Sequence, residues 1–480
     1  MSTVLWESVS AWWPEIILGI GGLAVLLLGA WPAGARLGAA AAWVVIAAAA
    51  LALWQAPVPP STAVFFGLIQ CDPFSLVFRW LALGTVAITL LLIAGGREIR
   101  PELRGEGLGL LLLIGVGLML MAEANHLLTA YLAMELVSLS SYLLVGFLCE
   151  ARSAEAAMKY LLFGALSSGI MLFGMSLLFG LLGTLEFPAL REAASGISGP
   201  MQGGFFVATA LMLSGLAFKI SMVPFHMWTP DAYEGAPIAV TALLSVGPKA
   251  AGLALFARVI EVLHPAWPSL EPLLVSLAVA TMTLGNLAAL TQTNIKRLLA
   301  YSTIAQVGYL LIGLIARTLI GREALLVYLS AYLFMNLGAF ACAAAVVEAT
   351  GSESVEAFRG LSRRSPWLAL CGAVSLLSLA GLPPLFGFIG KLLLFRAALE
   401  AHLALLAVAA AVNSAIALYY YVNLIRLMYF TPPADFAAAV RPAPSLGLAL
   451  GLCVTATLLL GLFPGALLAL LRAGTAANLL

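Results

Sequence analysis

Lysine supplies only five of the 23 basic side chains of this chain, and four of those, Lys159, Lys219, Lys249 and Lys391, lie within long apolar stretches. The fifth, Lys296, sits beside Arg297 in a short polar connection. The difference between the two cations is chemical. Arginine stays protonated in proteins, whereas a desolvated lysine can release its proton. Lysines at membrane depth therefore suit a chain that moves protons or ions. Glu135, in AYLAMELVSLSSYLLVGF, is the matching carboxylate and stands about eight residues inside an otherwise uncharged stretch. That is roughly 12 Å along a helix, farther than a glutamate reaches. An ionisable residue so placed is a functional candidate.

Helix breakers accompany three of the lysines. Lys219 stands five residues before Pro224, Lys249 follows Gly247 and Pro248, and Lys391 follows Gly381, Pro383 and Pro384. Proline frees a backbone carbonyl, and broken helices persist at membrane depth where they line a hydrated, protein-enclosed cavity. For any single lysine a structural ion pair between helices is the alternative. Lys159 follows Glu155 by four residues, which fits a surface pair as well as the start of a proton path. His226, in VPFHMWTPDAYEGAP with Asp231 and Glu234, fits a proton path or a loop cap equally. Arg79 reads as a packing or headgroup contact, because it does not usefully deprotonate. Together these residues suggest a relay in which Glu135 faces Lys219 and their separation favours proton release.

The elements that position them are membrane helices. The 480 residues are 63% hydrophobic and 9% charged, with mean hydropathy +1.07, which excludes a soluble domain of this size. Apolar runs predict about 14 spans, at 15–31, 37–55, 74–94, 107–122, 127–148, 157–183, 204–223, 237–262, 270–291, 298–316, 324–348, 366–395, 403–428 and 446–471. The connections between them are too short for a separate domain. Cys71, Cys149, Cys342, Cys371 and Cys453 are scattered without CxxC spacing, which argues against a zinc or iron–sulfur site. No Gly-rich phosphate loop and no strand-forming domain is expected. With no basic residue before Arg36, the first apolar run reads as a retained span, not a secretory signal. Connections after odd-numbered spans carry 12 basic residues and the others 6. The positive-inside rule then places the odd connections in the cytoplasm and both termini outside.

An internal repeat is visible. Tyr142–Gly146 reads YLLVG and Tyr309–Gly313 reads YLLIG, 167 positions apart, while Lys219 and Lys391 are 172 apart. Two halves of about five spans follow, and an odd number inverts the second copy.

Three stretches carry a family resemblance: Ser214–Ala250 (SGLAFKISMVPFHMWTPDAYEGAPIAVTALLSVGPKA), Thr291–Tyr309 (TQTNIKRLLAYSTIAQVGY) and Gly381–Lys391 (GLPPLFGFIGK). The chain resembles the antiporter-like subunits of the proton-pumping NADH:quinone oxidoreductase, respiratory complex I, from about Pro73 to Phe430. VPFHMWTPDAYEGAP is most similar to the N type of subunit. The short tail after the last span, without the long lateral helix of the L type, points the same way.

The resemblance implies an all-α polytopic membrane protein of about 14 transmembrane helices, with two inverted five-helix repeats, each containing a broken helix. Residues 1–106 would hold helices 1–3, 107–262 the first repeat, 263–430 the second, and 431–480 the last helix. Proton translocation would run through Glu135, Lys159, Lys219, Lys249 and Lys391. Gln306 departs from relatives that place histidine there, leaving water or Tyr309 to substitute. The chain would hold no cofactor or metal itself; flavin, iron–sulfur clusters and quinone would belong to partner subunits. Other membrane-arm subunits and the lipid of a bacterial inner membrane would be its partners, and nucleic acid would not. The rival readings are a subunit of a multi-subunit cation/proton antiporter, for which Glu135 alone is a thin carboxylate set, and a scaffold that transports nothing.

Overall fold

A computed structural model describes residues 2–31, 34–56, 62–433 and 439–475. The chain opens with α1 (Ser2–Ala11), α2 (Trp13–Gly29) and α3 (Gly34–Gln55). A two-stranded antiparallel hairpin, β1 (Thr62–Val64) and β2 (Ile69–Cys71), precedes α4 (Pro73–Gly95). The first half comprises α5 (Arg104–Glu123), α6 (Leu127–Val145), α7 (Ala151–Leu182), the short α8 (Phe187–Ser195), the pair α9 (Met201–Ile220) and α10 (Trp228–Gly235), and α11 (Ile238–Val262). The second half comprises α12 (Trp267–Ala289), α13 (Ile295–Ile315), α14 (Leu319–Thr350), the one-turn α15 (Leu361–Arg364), the pair α16 (Pro366–Ala380) and α17 (Phe386–Glu400), and α18 (Ala404–Phe430). The described chain closes with α19 (Pro444–Leu462) and α20 (Gly465–Thr475).

Among the described residues, 12 helices are long and apolar enough to cross a membrane. The shorter α2 and the broken pair α16–α17 complete the expected 14 crossings. Local chemistry fixes the helix ends. Asp72 and Ser75 form a reciprocal capping box at the start of α4, and the Asn294 side chain accepts from Lys296 N and Arg297 N at the start of α13. The last span is shorter than its apolar run suggested. Pro464 cannot continue a helix, so α19 stops at Leu462 and α20 starts afresh.

Burial ranks the helices. The most apolar windows of α11, α13 and α14 are 100%, 94% and 94% buried, whereas those of α7 and α18 are 33% buried. Helices apolar all round belong in the interior, so these three form the axis on which the two halves meet.

The two broken pairs share one backbone design. Ser221 ends α9 in the left-handed region and Met222 N donates to Ala217 O at 2.8 Å. Gly381 ends α16 in the same way, and Leu382 N donates to Leu377 O at 3.1 Å. These are C-terminal caps of one kind. Cis peptides at Val223–Pro224 and Pro383–Pro384 follow in step. Every paired position is 160 residues apart, and α7 packs on both α9 and α10 as α14 packs on both α16 and α17. The repeat register is thus set by the caps and differs from the offsets of 167 and 172 read from the sequence. Lys219 precedes its break, whereas Lys391 follows its own. The counterpart of Lys391 in the first half is Asp231, so the two lysines are not copies of one position.

Three cations depart from their expected settings. Lys296 lies in the first turn of α13 and is 0% exposed. Arg79 is buried, with Glu15 at 2.6 Å and Glu123 at 3.0 Å. Arg258, one of the six basic residues assigned to the even connections, lies inside α11 and pairs with Asp72 at 2.7 Å. Each is near a helix end, where a long cation can snorkel; a carboxylate at ion-pair distance, Glu353, Glu15 or Asp72, turns each inward instead.

Candidate functional site: a line of buried lysines

The first half holds Glu135 and Lys219 within one turn of α6. Ser168 Oγ, from α7, donates to Glu135 Oε1. Lys219 Nζ, in the last turn of α9, donates to Ser138 Oγ at 2.9 Å and to Met134 O at 3.3 Å. The lysine therefore sits against the turn that carries Glu135, and among the described residues the two make no direct ion pair. A buried ammonium requires acceptors, and here a hydroxyl and a carbonyl provide them.

Lys249 occupies α11 directly after Pro248, whose missing N–H interrupts the helical ladder. Among the described residues its Nζ has no hydrogen-bond partner. It stands 4.7 Å from the centroid of Trp228 and 5.3 Å from that of Tyr233, where the ring faces attract a cation. Trp228 stacks on Tyr160 at 4.1 Å and donates through Nε1 to Phe218 O at 3.2 Å. Phe218 adjoins Lys219 in sequence, so one aromatic stack holds the space between Lys219 and Lys249. One turn before Lys249, Ser245 Oγ accepts from Asn336 Nδ2 of α14 at 2.6 Å, a polar bridge into the second half.

At one end of the bundle, charges from both halves interlock. Lys159 pairs with Glu155 at 2.9 Å and Asp231 at 3.2 Å, its side chain 44% exposed. Arg297 of the second half pairs with Asp231 at 2.8 Å and Glu234 at 2.7 Å. Arg152 pairs with Glu234 and also with Glu353, the latter at 3.2 Å. Lys296 pairs with Glu353 at 2.5 Å and donates to Ala236 O at 3.0 Å. Burial pushes the Glu353 carboxyl up, but Lys296 and the hydrogen bond from Asn294 outweigh it and hold it below the usual range. Glu98, which accepts from Ile238 N at 2.6 Å, is pushed up by burial against the opposing pull of Lys296. His226 lies in the break between α9 and α10, and its carbonyl accepts from Thr229 N at 2.9 Å.

In the second half Lys391 donates to Leu379 O at 3.1 Å and Ala380 O at 3.0 Å. These are end carbonyls of α16, which the helix itself leaves without donors and whose dipole favours a cation. The ammonium also lies 4.6 Å from the centroid of Tyr309. Gln306 Nε2 donates to the same Leu379 O at 3.1 Å and to Tyr421 OH at 3.3 Å, while Tyr328 OH donates to Gln306 Oε1. Tyr421 OH and Ser302 Oγ are 2.5 Å apart. Gln306 therefore ties Lys391 to a string of buried hydroxyls, whereas Tyr309 OH accepts from Asn286 at 3.2 Å. Sequence reading flagged Gln306 but missed Ser138, Ser168, Tyr328, Tyr421 and Ser302. Only their polarity inside apolar runs could have marked them.

Residues 124–417 match the family model described as NADH:quinone oxidoreductase/Mrp antiporter, TM. The chain is 42% identical to the NADH-quinone oxidoreductase subunit N of Anaeromyxobacter sp. (strain Fw109-5), over 96% of this chain and 93% of that one. It superposes on a chain of respiratory complex I from Thermus thermophilus with a TM-score of 0.81 and 34% identity, covering 95% and 98% of the two chains. A chain of the Mrp complex from Dietzia sp. DQ12-45-1b has a TM-score of 0.85 at 24% identity, covering 98% and 97%, a likeness of fold.

Proposed function

Because this chain belongs to the NADH:quinone oxidoreductase/Mrp antiporter transmembrane family, we propose that it is a proton-translocating membrane-arm subunit, of the N type, of a NADH:quinone oxidoreductase. One observation carries the transport reading. Lys219, Lys249 and Lys391 are 1%, 0% and 3% exposed, and each stands beside an interruption of a membrane helix. Such lysines are costly unless they exchange protons or pair closely.

The chain itself carries no electrons. Flavin, iron–sulfur clusters and quinone belong to partner subunits, and quinone reduction there drives the membrane arm. The subunit lies in a bacterial inner membrane among further antiporter-like subunits, with both termini outside. Protons reach Lys219 from the Lys159–Asp231 end. Glu135 favours the ammonium form of Lys219 when the two approach. When they separate, an N–H bond of Lys219 breaks and its proton passes along water or hydroxyls to Lys249, which becomes the ammonium in turn. Ser245 and Asn336 lie on the way to the second half, where Lys391 takes the proton and releases it.

The test is the intact complex reconstituted in vesicles, with electron transfer and proton uptake recorded together. Lys219→Ala and Glu135→Ala are expected to lower protons pumped per electron on the order of tenfold, in line with loss of a proton-transfer group. Purification of the chain with no NADH:quinone activity, in a complex that exchanges sodium for protons, would overturn the assignment.

A further inference from the structure

A second charged cluster lies at the opposite end of the bundle from Lys159 and Lys296, and the relay described above does not use it. Glu15 of α2, Arg79 of α4 and Glu123 of α5 meet there with side chains 0%, 5% and 0% exposed. Arg79 Nε donates its single hydrogen to Glu15 Oε1 at 2.7 Å, and Nη2 donates to Glu15 Oε2 at 2.6 Å and to Ala11 O at 3.1 Å. Glu123 Oε1 lies 3.0 Å from the same Nε yet, among the described residues, receives no hydrogen bond, while Glu123 Oε2 accepts from Trp12 Nε1 at 3.1 Å. One guanidinium thus faces two carboxylates, and one carboxylate oxygen is left without a donor.

The neighbours do not restore the balance. Arg258 of α11, which also draws on Glu123, pairs with Asp72 at 2.7 Å, so this second cation and carboxylate cancel in the count of charge. Its Nε donates to Ala122 O, next to Glu123, at 2.7 Å. The Cys71 thiol of β2 is pushed up by burial and by Glu123, and so adds no charge. The Glu15–Arg79–Glu123 group therefore carries one negative charge in excess, in an interior where an uncompensated ion is strongly disfavoured. A single proton cancels it. Two carboxylates held by one cation bind that proton in common, as coupled sites do.

We propose that Glu15, Arg79 and Glu123 form a proton-binding site at the far end of the first half, exchanging with the lysine path. This deepens the proposed function and rests on it. The connection is α11 itself. It carries Lys249 and, nine residues on, Arg258, which is roughly 13 Å of rise. Arg258 then touches the backbone beside Glu123. A proton leaving Lys249 toward that end arrives at the carboxylate oxygen that has no donor, and the O–H bond formed there replaces the N–H bond broken.

The experiment uses the assembled complex in proteoliposomes with Glu123→Gln and with the neutral triple variant Glu15→Gln, Arg79→Met, Glu123→Gln. The triple variant removes all charge from the cluster, and such replacements of buried ion groups are commonly tolerated. Both variants are expected to pump at least fivefold fewer protons per electron between about pH 6 and 8. Wild-type pumping by the triple variant would make the cluster a structural tie and overturn the proposal. Infrared difference spectra of the wild-type complex, resting against turning over, supply a readout that needs no variant. A carboxylic-acid carbonyl band that shifts in D2O is expected, and its absence would overturn the proposal too. Lys219→Ala is the control. If it also pumps normally, the transport reading itself falls; if it does not, only the cluster does.

Discussion

At the level of single residues, the lysines solve one problem in three ways. Lys219 has a hydroxyl and a carbonyl, Lys391 has two helix-end carbonyls and a ring, and Lys249 has two aromatic faces only. Among these three, Lys249 is thus the lysine least held by directed bonds, as the proposed relay asks of its intermediate. Lys249→Arg separates charge from proton release, because guanidinium keeps its proton. The variant complex is expected to assemble and to pump on the order of tenfold fewer protons per electron. Wild-type pumping would mean that a fixed charge over Trp228 and Tyr233 suffices. Glu135 and the buried lysines were legible because charge inside an apolar run is conspicuous. Their acceptors were not, since Met134 O and Leu379 O are backbone atoms and Ser138 is a residue type that apolar spans commonly contain. The inward settings of Lys296, Arg79 and Arg258 were hidden for a different reason. A cation near a span end snorkels or turns inward according to partners far away in sequence, such as Glu353 for Lys296.

At the level of elements, Gly and Pro marked both breaks, but the register between them was hidden. Leu-rich pentapeptides match at several offsets, whereas a left-handed cap fixes one. Ser221 and Gly381 fill equivalent left-handed caps, at φ 63° and 86°. Serine tolerates its cap in part because Thr229 Oγ1 donates to its hydroxyl at 2.7 Å. At Gly381 a Cβ would come within 2.7 Å of Lys391 Cδ. Gly381→Ala therefore adds a left-handed conformational cost and crowds Lys391, about 2 kcal/mol together. Ser221→Gly removes a similar strain of about 1 kcal/mol but forfeits a hydrogen bond of about the same worth. The thermal midpoint of the purified complex is expected to fall for Gly381→Ala and to stay nearly constant for Ser221→Gly. Equal midpoints for both variants would show that the cap geometry at Gly381 is not limiting.

At the level of the whole molecule, the halves are joined by the packed axis of α11, α13 and α14 and by the charges at one end. Arg297 and Lys296, both on α13, reach Asp231, Glu234 and Ala236 O of the first half. The α9–α10 break is thereby tied to the start of α13, and Glu353 completes the tie through Lys296 and Arg152. The Glu353 carboxyl is held below its ordinary range, so its contribution to stability is full above the unfolded value. That contribution is lost as pH falls through the lower folded value. Glu353→Gln leaves the fully buried Lys296 ammonium without its carboxylate. The variant is expected to be less stable than wild type by about 2 kcal/mol at pH 7, less than for a wholly buried pair because Glu353 is 23% exposed. The gap should close only as the pH falls through the lowered folded value, below the ordinary carboxylate range, where the wild-type carboxyl is itself protonated. Adding Lys296→Met to Glu353→Gln removes the stranded charge and should recover much of the loss at pH 7. Denaturation of the complex at pH 7 and along a series descending to below the ordinary carboxylate range measures both. A gap that persisted unchanged at low pH would mean that the glutamine acts through packing, and the ion pair would no longer account for the coupling of the two halves at this end.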